Sequence, residues 1–332
     1  MSSAPVYDLS QPLATLLREG TKQAHTDAET SQGARLLLGG QLPKDEYVRF
    51  LMMLWYVYDT IERGLDRHST YPTLEPTYNP TLLARASTLS ADIAYLLEVP
   101  EDQWKAHPIH KELVTPRLPQ ALETYLSRLQ ALADSPDPSP LLAHSYVRYL
   151  GDLSGGQSIK RIIAKAYGLE SEDNKAGSDL GVSFYVFKEL RSANNASIGE
   201  MKKIKDWFRE GMNVAGERCE DEAKLTIVEE ASNAFRLNMG IFNTIRTPEE
   251  TKPATKERSQ VSKRKDESVT EQEPPRDASW PLSSVAAVIA AVCLGHFILV
   301  VGGFTGDKGY QKLLFVERWL SETFLKTATD AN

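Results

Sequence analysis

Arg148 and Asp152 stand four residues apart in the stretch YVRYLGDLSGGQSIKRIIAKAYGL, residues 146–169. On a helix this spacing puts both side chains on one face, where they can pair. A carboxylate held by a guanidinium, with the hydroxyls of Tyr146, Tyr149 and Ser154 nearby, can organise water. The same run contains Gly151, Gly155 and Gly156. Each glycine weakens a helix by about 1 kcal/mol relative to alanine. Two readings account for that cost. The G-x-x-x-G spacing of Gly151 and Gly155 can serve close helix–helix contact. Alternatively, a backbone without Cβ atoms on one face admits something flat and wide, and lets the helix bend.

The second candidate is His25 in LLREGTKQAHTDAET, residues 16–30. Glu29 lies one turn later and can accept a hydrogen bond from the ring. Gly20, Ala24 and Ala28 leave space around it. A lone helical histidine is more often structural than a ligand. The alternative is a haem iron held by one neutral imidazole with a second acceptor behind it. Cations form a third group. Arg18 and Lys22 lie close to His25, and MKKIKDWFRE spaces Lys202, Lys205 and Arg209 by three or four residues. They are either a solvated helix face or the cations that two ligand carboxylates require. Finally, Phe235, Asn238 and Phe242 share one face of EEASNAFRLNMGIF. That face is core by default, and it can also contact a flat ligand.

These residues need helices to position them. Apolar residues recur every three or four positions from Ser10 to about Thr247, with proline and serine between blocks. The pattern predicts an all-α domain over 10–247, with helices at 11–31, 43–68, 80–98, 117–133, 139–168, 197–214 and 220–246. Residues 169–196 read as irregular, and VSFYVF within them as a strand or a buried loop. A charged, proline-bearing linker follows over 248–280, too poor in apolar residues to fold. The stretch 281–304 carries no formal charge and is long enough for a transmembrane helix. Lys252, Lys256, Arg258, Lys263, Arg264 and Lys265 precede it, which predicts a cytosolic face for the folded domain. The 305–332 tail is amphipathic in its middle. The N-terminus lacks the basic and apolar regions of a signal peptide, so the chain reads as tail-anchored.

Bulk composition narrows the function classes. The 332 residues carry a net charge of −7, which argues against nucleic acid as the main partner. Two cysteines, Cys219 and Cys293, build no disulfide framework and point to a reducing compartment.

YVRYLGDLSGGQ together with TKQAHTDAE resembles the haem oxygenase family. The similarity extends through WYVYDTIE, KDWFREGMN and EEASNAFRLN, and covers about 11–246. The resemblance implies a single helical domain with haem b, at once cofactor and substrate, between a proximal and a kinked glycine-rich distal helix. It implies His25 as the iron ligand and Glu29 as its partner. Gly151, Gly155 and Gly156 would belong to the distal face, crowding the chemistry towards one meso carbon of the ring. Asp152 would anchor a distal water network with Arg148, Tyr58 and Tyr146. Arg18, Lys22, Lys205 and Arg209 would hold the propionates, and Phe235, Asn238 and Phe242 would complete the pocket.

The implied reaction turns haem, O2 and electrons into biliverdin, ferrous iron and carbon monoxide. No G-x-G-x-x-G or flavin pattern is present, so electrons must come from outside. The resemblance names NADPH–cytochrome P450 reductase as donor, with Lys22, Lys202 and Lys203 as docking candidates. The default membrane for the anchor is the endoplasmic reticulum, and the tail-anchored pattern faces the catalytic domain to the cytosol. The competing reading is a haem carrier or sensor without turnover. A di-iron oxygenase fits poorly, because none of His68, His107, His110 and His144 stands in an ExxH pair.

Overall fold

The structure is a computed structural model, and its described residues are 7–169 and 179–247. The linker, the predicted span and the tail lie outside them. Among the described residues, no helix is long and apolar enough to cross a membrane. Twelve α-helices occur in this part: α1 (Leu13–Gly20), α2 (Lys22–Glu29), α3 (Gln32–Leu38), α4 (Lys44–Arg67), α5 (Pro80–Leu83), α6 (Ala86–Leu97), α7 (Pro108–Val114), α8 (Gln120–Ala133), α9 (Leu141–Ser154), α10 (Gly156–Ala166), α11 (Ile198–Glu217) and α12 (Asp221–Phe242).

Helix starts follow local chemistry. Pro12, Pro43, Pro119 and Pro140 sit immediately before α1, α4, α8 and α9. Ser31 and Ser197 cap α3 and α11 by accepting from the N–H groups of Ala34 and Glu200. The central element is α4, whose Tyr47, Val48, Leu51, Met52, Val57, Tyr58 and Ile61 are fully buried. Helices α6, α7, α8 and α9 pack around it, and α12 packs against α1, α2, α8 and α9. The described residues belong to one compact unit, Met1–Lys252.

Three predicted helices are divided. The 11–31 helix ends one segment and starts another at Thr21, whose hydroxyl folds back onto the Leu17 carbonyl at 2.7 Å. The 80–98 helix is interrupted at Ala84, where the backbone is extended (φ −60°, ψ 133°). The 139–168 helix divides at Gly155. That residue keeps helical angles (φ −66°, ψ −29°), so the chain bends without unwinding. Helices α3 and α7 were not predicted, because seven residues hold too few turns to show a period. VSFYVF is a buried loop around a 3-10 turn at Ser183–Tyr185, with no strand among the described residues.

Candidate functional site

The distal face of α9 carries a buried hydrogen-bond network. Asp152 is buried, and its carboxylate accepts from the Tyr58 hydroxyl, which α4 supplies. Arg148 lies one turn before Asp152, with 3.8 Å between guanidinium and carboxylate. Its Nε donates to the Tyr58 hydroxyl at 3.0 Å, and its guanidinium lies 4.9 Å from that ring's centroid. Burial pushes the Asp152 carboxyl up to about 6, against the pull of Arg148 and Tyr58.

The network continues away from Asp152. A second Arg148 nitrogen donates to Asn238 Oδ1 at 2.6 Å, and Asn238 Nδ2 donates to the Tyr125 hydroxyl at 3.1 Å. That hydroxyl is 3.4 Å from His144 Nδ1, and His144 Nε2 is 2.9 Å from Glu230 Oε1. Burial opposes ionisation of Glu230, but hydrogen bonds from His144 and Arg128 hold it down to about 2. An ionised carboxylate only accepts, so His144 carries its proton on Nε2 and accepts from Tyr125 at Nδ1. Direction is thereby fixed along the whole chain. Arg148 donates both ways, and an anionic acceptor closes each end, Asp152 on α9 and Glu230 on α12, beside the partly exposed Arg128.

The glycines separate by function. A Cβ on Gly151 would meet nothing within 4 Å, and one on Gly155 would meet only the Gly151 carbonyl oxygen at 3.7 Å. Both leave bare backbone beside open space. Gly156 faces the other way: a Cβ there would lie 3.1 Å from Tyr185 Cδ1. Its smallness serves packing against Tyr185.

On α2, His25 Nδ1 is 3.6 Å from Glu29 Oε2, and the ring makes an edge contact with Phe235 at 5.5 Å between centroids. The Thr21 hydroxyl, at the α1–α2 junction, lies 3.3 Å from the buried Tyr146 hydroxyl on α9, tying the two walls together. The charges of Arg209 and Arg18 both act on Tyr146, so α1, α9 and α11 bring these groups into one neighbourhood. Lys205 on α11 is 9% exposed and makes no hydrogen bond or ion pair among the described residues. Burial pushes its ammonium pKa down, and Arg209 and Lys202 push the same way. Arg18 and Lys22 are exposed. The expected trio on α12 is divided among three neighbours: Phe235 meets His25, Asn238 joins the Arg148 network, and Phe242 stacks on Phe50 at 5.7 Å.

Sequence reasoning missed Tyr125, His144 and Glu230 as network members. A signal for two of them exists. His144, Arg148 and Asp152 repeat every four residues on α9, while Glu230 and Asn238 are eight apart on α12. Two polar stripes on helices otherwise rich in apolar residues mark facing surfaces. Tyr125 carries no such mark and arrives only through packing of α8.

The family model described as Heme oxygenase matches residues 11–244, which span α1 to α12 and every residue of this site. The chain belongs to the haem oxygenase family. Over 237 residues it is 32% identical to heme oxygenase 1 of Homo sapiens, covering 71% of this chain and 73% of that protein. It is also 32% identical over 233 residues to heme oxygenase 2 of Macaca fascicularis, covering 70% of this chain. The match spans 65% of that relative's length.

Solved haem oxygenases share the fold. The Synechocystis heme oxygenase-2 complex with heme and NO superposes with a TM-score of 0.59 at 30% identity, over 70% of this chain and 84% of that one. The Leptospira interrogans enzyme gives 0.57 at 32% identity, over 70% and 98%. In this haem oxygenase family member the bare Gly151 backbone and the buried Asp152 lie on one helix, within the matched region.

Proposed function

We propose that this protein is a haem oxygenase in activity as well as in family. It binds haem b and opens the ring to biliverdin, with release of ferrous iron and carbon monoxide, using O2 and electrons from NADPH through a reductase. The observation that carries the reading is the pairing of open backbone at Gly151 with the buried Asp152–Tyr58–Arg148 network one residue away. A simple carrier needs the opening but not a tuned buried carboxylate.

The donor set fits haem on three counts. His25 offers an imidazole with an acidic acceptor beside Nδ1. Gly151 and Gly155 leave room for a flat ring. Lys205 is a largely buried lysine whose positive neighbours Arg209 and Lys202 outnumber Asp206, and a propionate would supply a further opposite charge. Bound haem supplies the redox-active iron and is itself the ring to be opened. His25 would ligate the iron, and Glu29 would hold the imidazole's other N–H and so its orientation. Arg18, Lys22, Lys205 and Arg209 would hold the propionates. The Gly151–Gly155 backbone would crowd the distal side and restrict attack to one edge of the ring. Asp152 would act through water: its carboxylate holds a water's proton while Tyr58 and Arg148 fix the carboxylate's direction.

The membrane anchor at 281–304, the endoplasmic reticulum location, cytosolic orientation and docking of NADPH–cytochrome P450 reductase on Lys22, Lys202 and Lys203 belong to the same proposal. A shared membrane would raise the local concentration of both proteins.

The test uses full-length protein loaded with haemin in air, with NADPH, the reductase, and catalase to remove free peroxide. Loss of the haem absorption band with growth of a bile-pigment band is expected. His25→Ala should abolish it and added imidazole should restore it. Tight haem binding without ring opening would move the assignment to a carrier or sensor.

A further inference from the structure

Residues 182–187 form a strap between α6 and α10, and two buried charges grip it. Asp92, 1% exposed on α6, holds the strap by its donors. One carboxylate oxygen accepts from the Ser183 N–H at 2.9 Å and from its hydroxyl at 2.6 Å, and the other accepts from the Phe184 N–H at 2.8 Å. Arg85, just before α6, holds the strap by its acceptors. It donates to the Val186 carbonyl at 2.7 Å and lies over the Phe187 ring at 4.2 Å. Anion on N–H groups and cation on carbonyls is the arrangement that fixes an irregular backbone against both neighbours.

The strap in turn presses on the distal wall. The Phe184 ring meets the Tyr58 ring edge-on, 5.4 Å between centroids at 72°. Tyr185 fills the space beside Gly156, and its carbonyl accepts from Gln157 Nε2 at 2.8 Å. Tyr58 is the donor that orients Asp152. Asp92 itself makes no hydrogen bond to Tyr58 or Asp152. We propose that Asp92 is a positioning residue for the distal site: by clamping Ser183 and Phe184 it sets the Tyr58 ring, and through Tyr58 the direction of the Asp152 carboxylate. The proposal rests on the oxygenase reading above for its effect on turnover, and on geometry alone for its effect on Tyr58.

Asp92→Asn keeps the size of the side chain but replaces one acceptor with an NH2 group, which opposes a backbone N–H. The first measurement needs no haem. In full-length apoprotein labelled at tyrosine, the Tyr58 13Cζ resonance reports its hydrogen bond to Asp152. It should move in Asp92→Asn, and move less in the same direction in Ser183→Ala, which removes only the hydroxyl bond and serves if the first variant folds poorly. The second measurement is a cycle with Tyr58→Phe in the haemin-loaded enzyme. Asp92→Asn should slow ring opening about tenfold with haemin affinity within about threefold, and should add less than about twofold once Tyr58 is already phenylalanine. An unmoved Tyr58 resonance, or effects that multiply through the cycle, would overturn the proposal. Absence of ring opening in the unmutated protein would defeat the oxygenase reading instead, and would leave the resonance result standing.

Discussion

The Tyr58 hydroxyl donates to Asp152 while accepting from Arg148, so one phenol is held from both sides by an ion pair whose members are themselves 3.8 Å apart. The consequence is electrostatic. Burial raises the Asp152 carboxyl to about 6, and Arg148 is the largest of the opposing influences. Arg148→Met should therefore raise it further, by about one pH unit or more. The sign for stability follows. Between its ordinary value near 3.8 and about 6, Asp152 binds its proton more tightly folded than unfolded. Its contribution to folding is therefore fully present at low pH and is lost as pH rises through about 6. Carboxyl 13C titration of aspartate-labelled apoprotein checks both the midpoint and the direction of the change. A midpoint that falls in Arg148→Met would contradict the account.

Gly151 and Gly156, one residue before and four residues after Asp152, give different expectations. Gly151→Ala adds a methyl group into open space. In apoprotein it should be neutral or stabilising, by up to about 1 kcal/mol from helix propensity. In the loaded protein the same methyl group occupies the ligand side, so haemin affinity or ring opening should fall. Gly156→Ala pushes a methyl group to 3.1 Å from Tyr185 Cδ1. That contact opposes the helix-propensity gain, so the apoprotein should be less stable than the Gly151→Ala variant. Thermal unfolding with and without haemin separates the two, because only the Gly151 variant should lose part of the stabilisation that haemin confers.

Much of this site was legible in the sequence because its parts are local. Arg148 and Asp152 share a face by spacing alone, and the glycines at 151, 155 and 156 announce a helix under unusual demands. His25 and Glu29 are likewise one turn apart. Contacts across the fold were less visible. Nothing in local spacing brings Tyr58 of α4 onto Asp152 of α9, and that placement came from family resemblance. Tyr125 and the Asp92 grip on Ser183 had no signal, since both depend on how helices distant in sequence pack. Helix ends were misread for a related reason. Gly155 keeps helical angles at the bend, and the Thr21 break is stabilised by a side-chain bond that periodicity does not register.

Lys205 combines burial with two positive neighbours, Arg209 and Lys202, against one acidic residue, Asp206. A largely buried charge among like charges costs folding energy that a bound anion offsets. Lys205→Met keeps the length and apolar stem of the side chain and removes the charge. The apoprotein should then unfold at a higher temperature, with a gain of about 1 kcal/mol. Haemin should bind more weakly, by about tenfold, if the lysine meets a propionate. The pH dependence separates this from a packing effect. Burial and Arg209 lower the Lys205 pKa from 10.5, so in the folded apoprotein it sheds its proton more readily than in the unfolded chain. The penalty is therefore largest at neutral pH and fades as pH rises through the lowered pKa towards 10.5 and beyond. The stability advantage of Lys205→Met should shrink over that same range, measured by denaturant unfolding from pH 7 upward. A difference that stays constant with pH would assign the gain to packing and remove Lys205 from the set that meets the ligand's carboxylates.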